Sequence, residues 1–112
     1  MKNCNNSVIL VNYSPDDLEN IYELLKSEKL DDLEVDSKTE IISFKSNNYP
    51  KNLLIKTLSI QHPNITFLLD GVVKNEWKHQ AVYKAGYYLE LEEVNWDQKD
   101  KLNVFKSYLP GV

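Results

Sequence analysis

Apolar residues along the chain recur in alternating short stretches of strand-like and helix-like period. Val8 to Asn12 is a compact apolar run between polar flanks and predicts a short buried strand. Ser14-Pro15-Asp16-Asp17 predicts a helix start: Ser14 caps, Pro15 suits the first helical position, and Asp17 reaches back as the third-position acid. Leu18, Ile21, Tyr22 and Leu25 then form one apolar stripe, and the helix should end near Lys29. Asp31 to Asp36 alternates acid and apolar residues around Leu33 and Val35, as an edge strand or extended loop does. Thr39 to Lys45 is a further extended piece, with Asp36-Ser37-Lys38 placed to turn a hairpin. Asn47-Asn48-Tyr49-Pro50 reads as a second helix start, with Leu53, Leu54, Thr57, Leu58 and Gln61 on one side and His62-Pro63-Asn64 as the stop.

Ile65 to Val73 predicts a strand with Ile65, Phe67 and Leu69 on one face. Lys74-Asn75-Glu76 turns into a hairpin of Trp77 to Tyr83 and Tyr87 to Val94 around Lys84-Ala85-Gly86. A three-residue loop with left-handed Gly86 pairs Tyr83 with Tyr87, Ala81 with Leu89 and His79 with Leu91. Trp77, Ala81, Tyr83, Leu89 and Leu91 then share the covered face, while Lys78, Gln80, Val82, Lys84, Tyr88, Glu90 and Glu92 share the other. Asp97 caps a last helix, with Asp100 three residues on, a stripe of Leu102, Phe105 and Leu109, and Pro110-Gly111 at its end.

The expected fold is a single α+β domain over residues 1–112, with a mostly antiparallel sheet of four or five strands and helices on one face. Through Val73 the order fits a ferredoxin-like (split βαβ) plan, to which a hairpin and a C-terminal helix are added.

Charge narrows the functional classes. All 13 basic residues are lysine, so the planar fork that grips phosphate and reads guanine edges is missing. With a formal net charge of -4 and a pI near 5.1, direct nucleic-acid binding is disfavoured. The acids are unevenly placed. Asp16, Asp17, Glu19, Glu23, Glu28, Asp31, Asp32, Glu34, Asp36 and Glu40 face only Lys26, Lys29 and Lys38 within the same quarter of the chain. No run is apolar enough for a membrane span or a signal-peptide core, which predicts a cytoplasmic protein. The single cysteine, Cys4, allows neither an intramolecular disulfide nor a zinc site, and no cofactor is expected. Abundant asparagine and lysine without arginine suggest an AT-rich genome, such as that of a low-GC bacterium, its phages or its plasmids.

Two stretches, YPKNLLIKTLSIQHPNITFLLD (Tyr49 to Asp70) and NEWKHQAVYKAGYYLELEE (Asn75 to Glu93), resemble the YubB-type ferredoxin-like domain of plasmids and phages. SPDDLENIYELL (Ser14 to Leu25) fits the first helix of that domain, so the resemblance spans Val8 to Glu93. It implies a mobile-element context and no catalytic motif. The Gly-Thr-Lys-Trp-like segment associated with many members is missing here.

The sharpest candidate site is Asp31, Asp32, Glu34 and Asp36, with Glu40 beyond: an acidic patch for a basic protein partner, against a purely solubilising role. A calcium loop is disfavoured, because the EF-hand glycine and terminal glutamate are missing. His62 and His79 read as structural, Cys4 as inert, and Trp77, Tyr83, Tyr87 and Tyr88 mainly as core aromatics rather than a base-stacking platform. Gly71 and Gly86 are isolated, and no phosphate loop or nucleophile-base set stands in the sequence. The expectation is a non-catalytic inhibitor of a nuclease or nucleic-acid-handling defence complex, of the toxin-immunity or anti-CRISPR type. The alternatives are a regulatory or structural module without an inhibitory target, and a hydrolase or transferase whose site meets only in the fold.

Overall fold

The computed structural model describes residues 3–74 and 76–91. The side chains of Trp77 and of residues 88–91 are outside that set, as is the expected helix from Asp97. The order is β1 (Asn3–Val11), α1 (Pro15–Ser27), β2 (Asp31–Val35), β3 (Ile42–Asn47), α2 (Asn52–Gln61), β4 (Thr66–Val73), β5 (Trp77–Lys84) and β6 (Tyr87–Leu91). The strands form one sheet in the order β2-β3-β1-β4-β5-β6, and every neighbouring pair is antiparallel. The sheet has six strands rather than four or five, because Asp31–Val35 pairs with β3 across a register break and the last hairpin extends the same sheet. β3 lies between β1 and β2, so the last two run parallel to each other.

α1 begins as its sequence dictates. Ser14 Oγ accepts from the Asp17 N–H at 3.1 Å, and the Ser14 N–H donates to the Asp17 carboxylate at 2.9 Å. These bonds hold the Asp17 carboxyl below its ordinary value. Ile21 and Leu25 are fully buried, while Leu18 and Tyr22 are half-buried.

β1 is longer than the apolar run. It begins at Asn3, because Cys4 and Asn6 alternate inward ahead of Val8 and Leu10. The buried Asn6 amide donates to Ser46 Oγ at 2.9 Å and to the Cys4 carbonyl at 3.2 Å. Its oxygen accepts the Lys51 N–H at 3.1 Å. One polar side chain thus ties β1 to β3 and to the start of α2, which no apolar pattern could announce.

α2 differs from expectation at its start and its face. Asn47 belongs to β3, the helix begins at Asn52, and no side chain caps it. Ile55, Leu58 and Ser59 face inward, whereas Leu53 is 77 % exposed and Thr57 and Gln61 are also outside. Polar anchors set that rotation. Tyr83 donates its hydroxyl proton to Asn52 Oδ1, and Ser59 Oγ accepts the Gly86 N–H at 3.0 Å.

The main core joins both helices to one face of the sheet: Ile21, Leu25, Ile55 and Leu58 meet Val8, Leu10, Ile42, Phe44, Phe67, Leu69, Ala81 and Tyr83. Ile65, Phe67 and Leu69 share this face as expected. Gly71 is required there, since a Cβ would come within 2.5 Å of Pro50 Cγ. Side chains of the opposite face form a second cluster, Ile9, Ile41, Leu68 and Val82.

The last hairpin is one residue out of the expected register. Its loop has two residues, Ala85 (φ 50) and Gly86 (φ 84), as a type I′ turn demands. Lys84 pairs with Tyr87, Tyr83 with Tyr88, Val82 with Leu89, Ala81 with Glu90 and Gln80 with Leu91. Positions 89 and 91 therefore stand across from Val82 and Gln80, not from Ala81 and His79. Apolar sorting failed as a guide because β5 is buried on both faces: Ala81 and Tyr83 on one, Gln80 and Val82 on the other.

Candidate functional site: the acidic sheet edge

β2 is an edge strand, and it is where the five candidate acids gather. Asp31 pairs with Lys45 and Glu34 with Ser43, with a register break between them. Asp32 sits at the break with φ 53, a left-handed conformation that aspartate tolerates better than most residues. The bulge lets Asp31 and Glu34, three residues apart, both stand opposite β3 positions of the face that carries no helix.

Asp32 and Glu34 line a groove of about 540 Å³ with Asn5, Ser7, Ser43 and Lys45. Lys45 Nζ lies 3.1 Å from Asp32 Oδ2, and both side chains remain largely in solvent. Ser43 Oγ donates to Glu34 at 3.5 Å, a long contact. A second groove of about 230 Å³ continues past Glu34 to Asp36, Thr39 and Ile41.

Asp36 has a further duty. Its Oδ1 accepts the N–H groups of Lys38 at 2.8 Å and Thr39 at 2.9 Å, closing the turn between β2 and β3. The Thr39 and Lys38 N–H groups hold its carboxyl below the ordinary range. Glu40 stands apart from the other four. It accepts from the Tyr13 phenol, whose pKa is raised by burial first and then by this carboxylate. The structure thus places Asp32 and Glu34 in one groove, extends it to Asp36, sets Asp31 on the same strand, and turns Glu40 toward Tyr13.

Of the aromatics expected in the core, Tyr83 is buried, but Tyr87 is 81 % exposed, because the shifted hairpin register sets it across from Lys84 next to the turn. Cys4 is buried, its thiol pushed up chiefly by desolvation. His62 is the C-cap residue of α2, and His79 pairs with Gly71. Among the described residues, no three His, Cys, Asp or Glu side chains come together as a metal-ion site. None of the described helices is long and apolar enough to cross a membrane.

Two features escaped the sequence reading. Asn5 and Ser7 help to form the groove wall, hidden in the polar flank before Val8; their alternation with Cys4 and Asn6 was the available signal. Leu53 and Ile60 lie exposed one helical heptad apart on α2, and their spacing could have separated them from Ile55 and Leu58.

No protein-family model, curated protein or solved structure matches the chain.

Proposed function

We propose that this protein is a small, non-catalytic inhibitory binding protein that takes a basic protein partner along the β2 edge. The observation that carries the reading is the bulge at Asp32, which brings Asp32 and Glu34 into one groove on an exposed strand. Partner arginine or lysine side chains suit such a groove, since two carboxylates offer bidentate acceptance to a guanidinium. An acidic protein of this size competes with nucleic acid for the basic surface of a nuclease or defence complex. The proposed setting is the cytoplasm of a host cell, in a toxin-immunity or anti-CRISPR role. It rests on composition and on the YubB-type resemblance. The order β2-β3-β1-β4 around two helices supports the ferredoxin-like (split βαβ) plan, extended here by β5 and β6.

The same acids also discourage strand addition at an otherwise open sheet edge, as a bulge does. In a module without a partner, that edge protection would be their whole role. A paired capture from host extract separates the two readings, using the native chain and the D31N/D32N/E34Q/D36N variant as baits. The amides keep size and hydrogen-bond acceptance. The proposal expects a basic protein retained by the native bait, lost from the variant and released by salt. Equal retention by both baits removes the acidic edge as the interface.

A further inference from the structure

The groove at the β2 edge continues past Lys45. Asn5 and Lys45 also line a hollow of about 400 Å³ that runs on to Asn3, Val73 and Lys74. Ser7, Glu34 and Ser43 in turn line the hollow that leads to Asp36. The shared walls make the three hollows one trough. Register gives its length. Asn3, Asn5 and Ser7 are alternate positions of β1, with Lys45 opposite Asn5 and Ser43 opposite Ser7. The strand from Asn3 to Ser7 covers about 14 Å at about 3.4 Å per residue. Lys74 follows Val73, which pairs with Cys4, so it stands at the Asn3 end. Glu34 pairs with Ser43 and stands at the Ser7 end, with Asp36 beyond it. The two ends therefore carry opposite charge. Between them Lys45 Nζ lies 3.1 Å from Asp32 Oδ2, which leaves the middle close to neutral. Phe44 and Asn6 also line the trough, yet the Phe44 side chain belongs to the main core and the Asn6 side chain is bound to Ser46 and Lys51. Their backbone therefore forms the floor, beside the Asn5 amide and the hydroxyls of Ser7 and Ser43.

A long polar trough with ends of opposite sign fits an extended stretch of polypeptide better than a compact ligand. Its amide and hydroxyls bond peptide groups whatever the sequence, and its charged ends select side chains. In an extended chain, residues four apart lie on one side and about 14 Å from each other, the separation of the two ends of the trough. We propose that the occupant is an extended segment of the protein partner, with a basic residue for Asp32 and Glu34 and an acidic residue four positions away for Lys74. This inference rests on the reading of the β2 edge as an interface for a basic partner. It adds the acidic residue, which that reading does not need. A segment basic throughout would meet like charge at Lys45 and Lys74, so the trough discriminates among basic proteins as well as attracting them.

The test titrates the full chain, labelled for amide resonances, with acetylated and amidated pentapeptides. The probes are Arg-Ser-Gly-Ser-Glu, its reverse Glu-Ser-Gly-Ser-Arg, and each of them with Gln in place of Glu. Amide shifts of Asn5, Ser7, Ser43 and Lys45 report on the trough. In one of the two directions the Glu peptide is expected to bind about three- to fivefold more tightly than its Gln counterpart, the range of an exposed ion pair. The K74Q variant, changed at an exposed side chain, should lose that preference. Equal affinities of the Glu and Gln peptides for the native chain, in both directions, overturn the bipolar occupant and leave the basic-partner reading standing. A preference that persists in K74Q puts the acid elsewhere and overturns it too. Shifts absent from the trough with every peptide exclude an extended segment there, and the paired capture then decides the basic-partner reading by itself.

Discussion

The centre of the sheet and its β2 edge are made from the same kind of alternating strand but serve opposite ends. β1 and β4 bury nearly every residue of their apolar stretches, down to fully enclosed Val8, Phe67, Leu68 and Leu69. β2 has no fully buried residue; Leu33 and Val35 are half-covered, and the acids stand in solvent. Packing explains the first region and leaves little freedom for chemistry. In the second, hydrogen bonds and charge decide the local shape, and the side chains stay available. Stability should therefore be lost by changes at the centre, and association by changes at the edge.

The largest expected effect is at the centre. Phe67→Ala empties a fully buried site in the main core and should cost about 3–5 kcal/mol by urea unfolding. Leu33→Ala on β2 should cost well under half of that. Equal losses would break the contrast. Next comes Asn6→Ala, which strips partners from the Lys51 N–H and Ser46 Oγ. Losing these bonds of the buried Asn6 side chain should cost about 1–3 kcal/mol in total, and unfolding of the variant should show a loss of that size.

The reach of sequence reading follows the same division. Strand and helix order, the Ser14 capping box, and the shared face of Ile65, Phe67 and Leu69 are legible, because each rests on a local rule or on a face apolar in alternation. The start of β1, the inward face of α2 and the last hairpin register were not legible. In each, a polar residue does the positioning: Asn6, Ser59, and the Gln80 that rides on a doubly buried strand. At the candidate site, the acids and their edge position could be read. The bulge that groups Asp32 with Glu34, the wall of Asn5 and Ser7, and the pairing of Glu40 with Tyr13 depend on strands distant in sequence.

A smaller effect of opposite sign is expected at the far hairpin. Ala85 holds φ 50, which an L residue adopts at some cost, and asparagine ahead of glycine suits a type I′ turn. Ala85→Asn should stabilise the fold by about 0.5–1 kcal/mol, and thermal unfolding with a rise in Tm checks this.

Acid titration sharpens the account of the edge. Asp17 and Asp36 have folded pKa values below the ordinary 3.8, so their stabilisation is present above that value. It is lost as pH falls from about 4 through the lower folded values. Unfolding midpoints should drop through that window in the native chain. They should drop less in the D17N/D36N variant, which has no carboxylate to protonate at either place. An identical acid limb in both chains would mean that these hydrogen bonds do not couple to folding.

The acidic edge itself is tested most directly by the association rate of the captured basic partner, measured against ionic strength for the native chain and the D31N/D32N/E34Q/D36N variant. Electrostatic steering predicts that the native rate falls steeply with salt, and that at low salt the variant associates about tenfold or more slowly with a flatter slope. Rates and slopes that coincide for the two chains would contradict the assignment of the β2 edge as the interface.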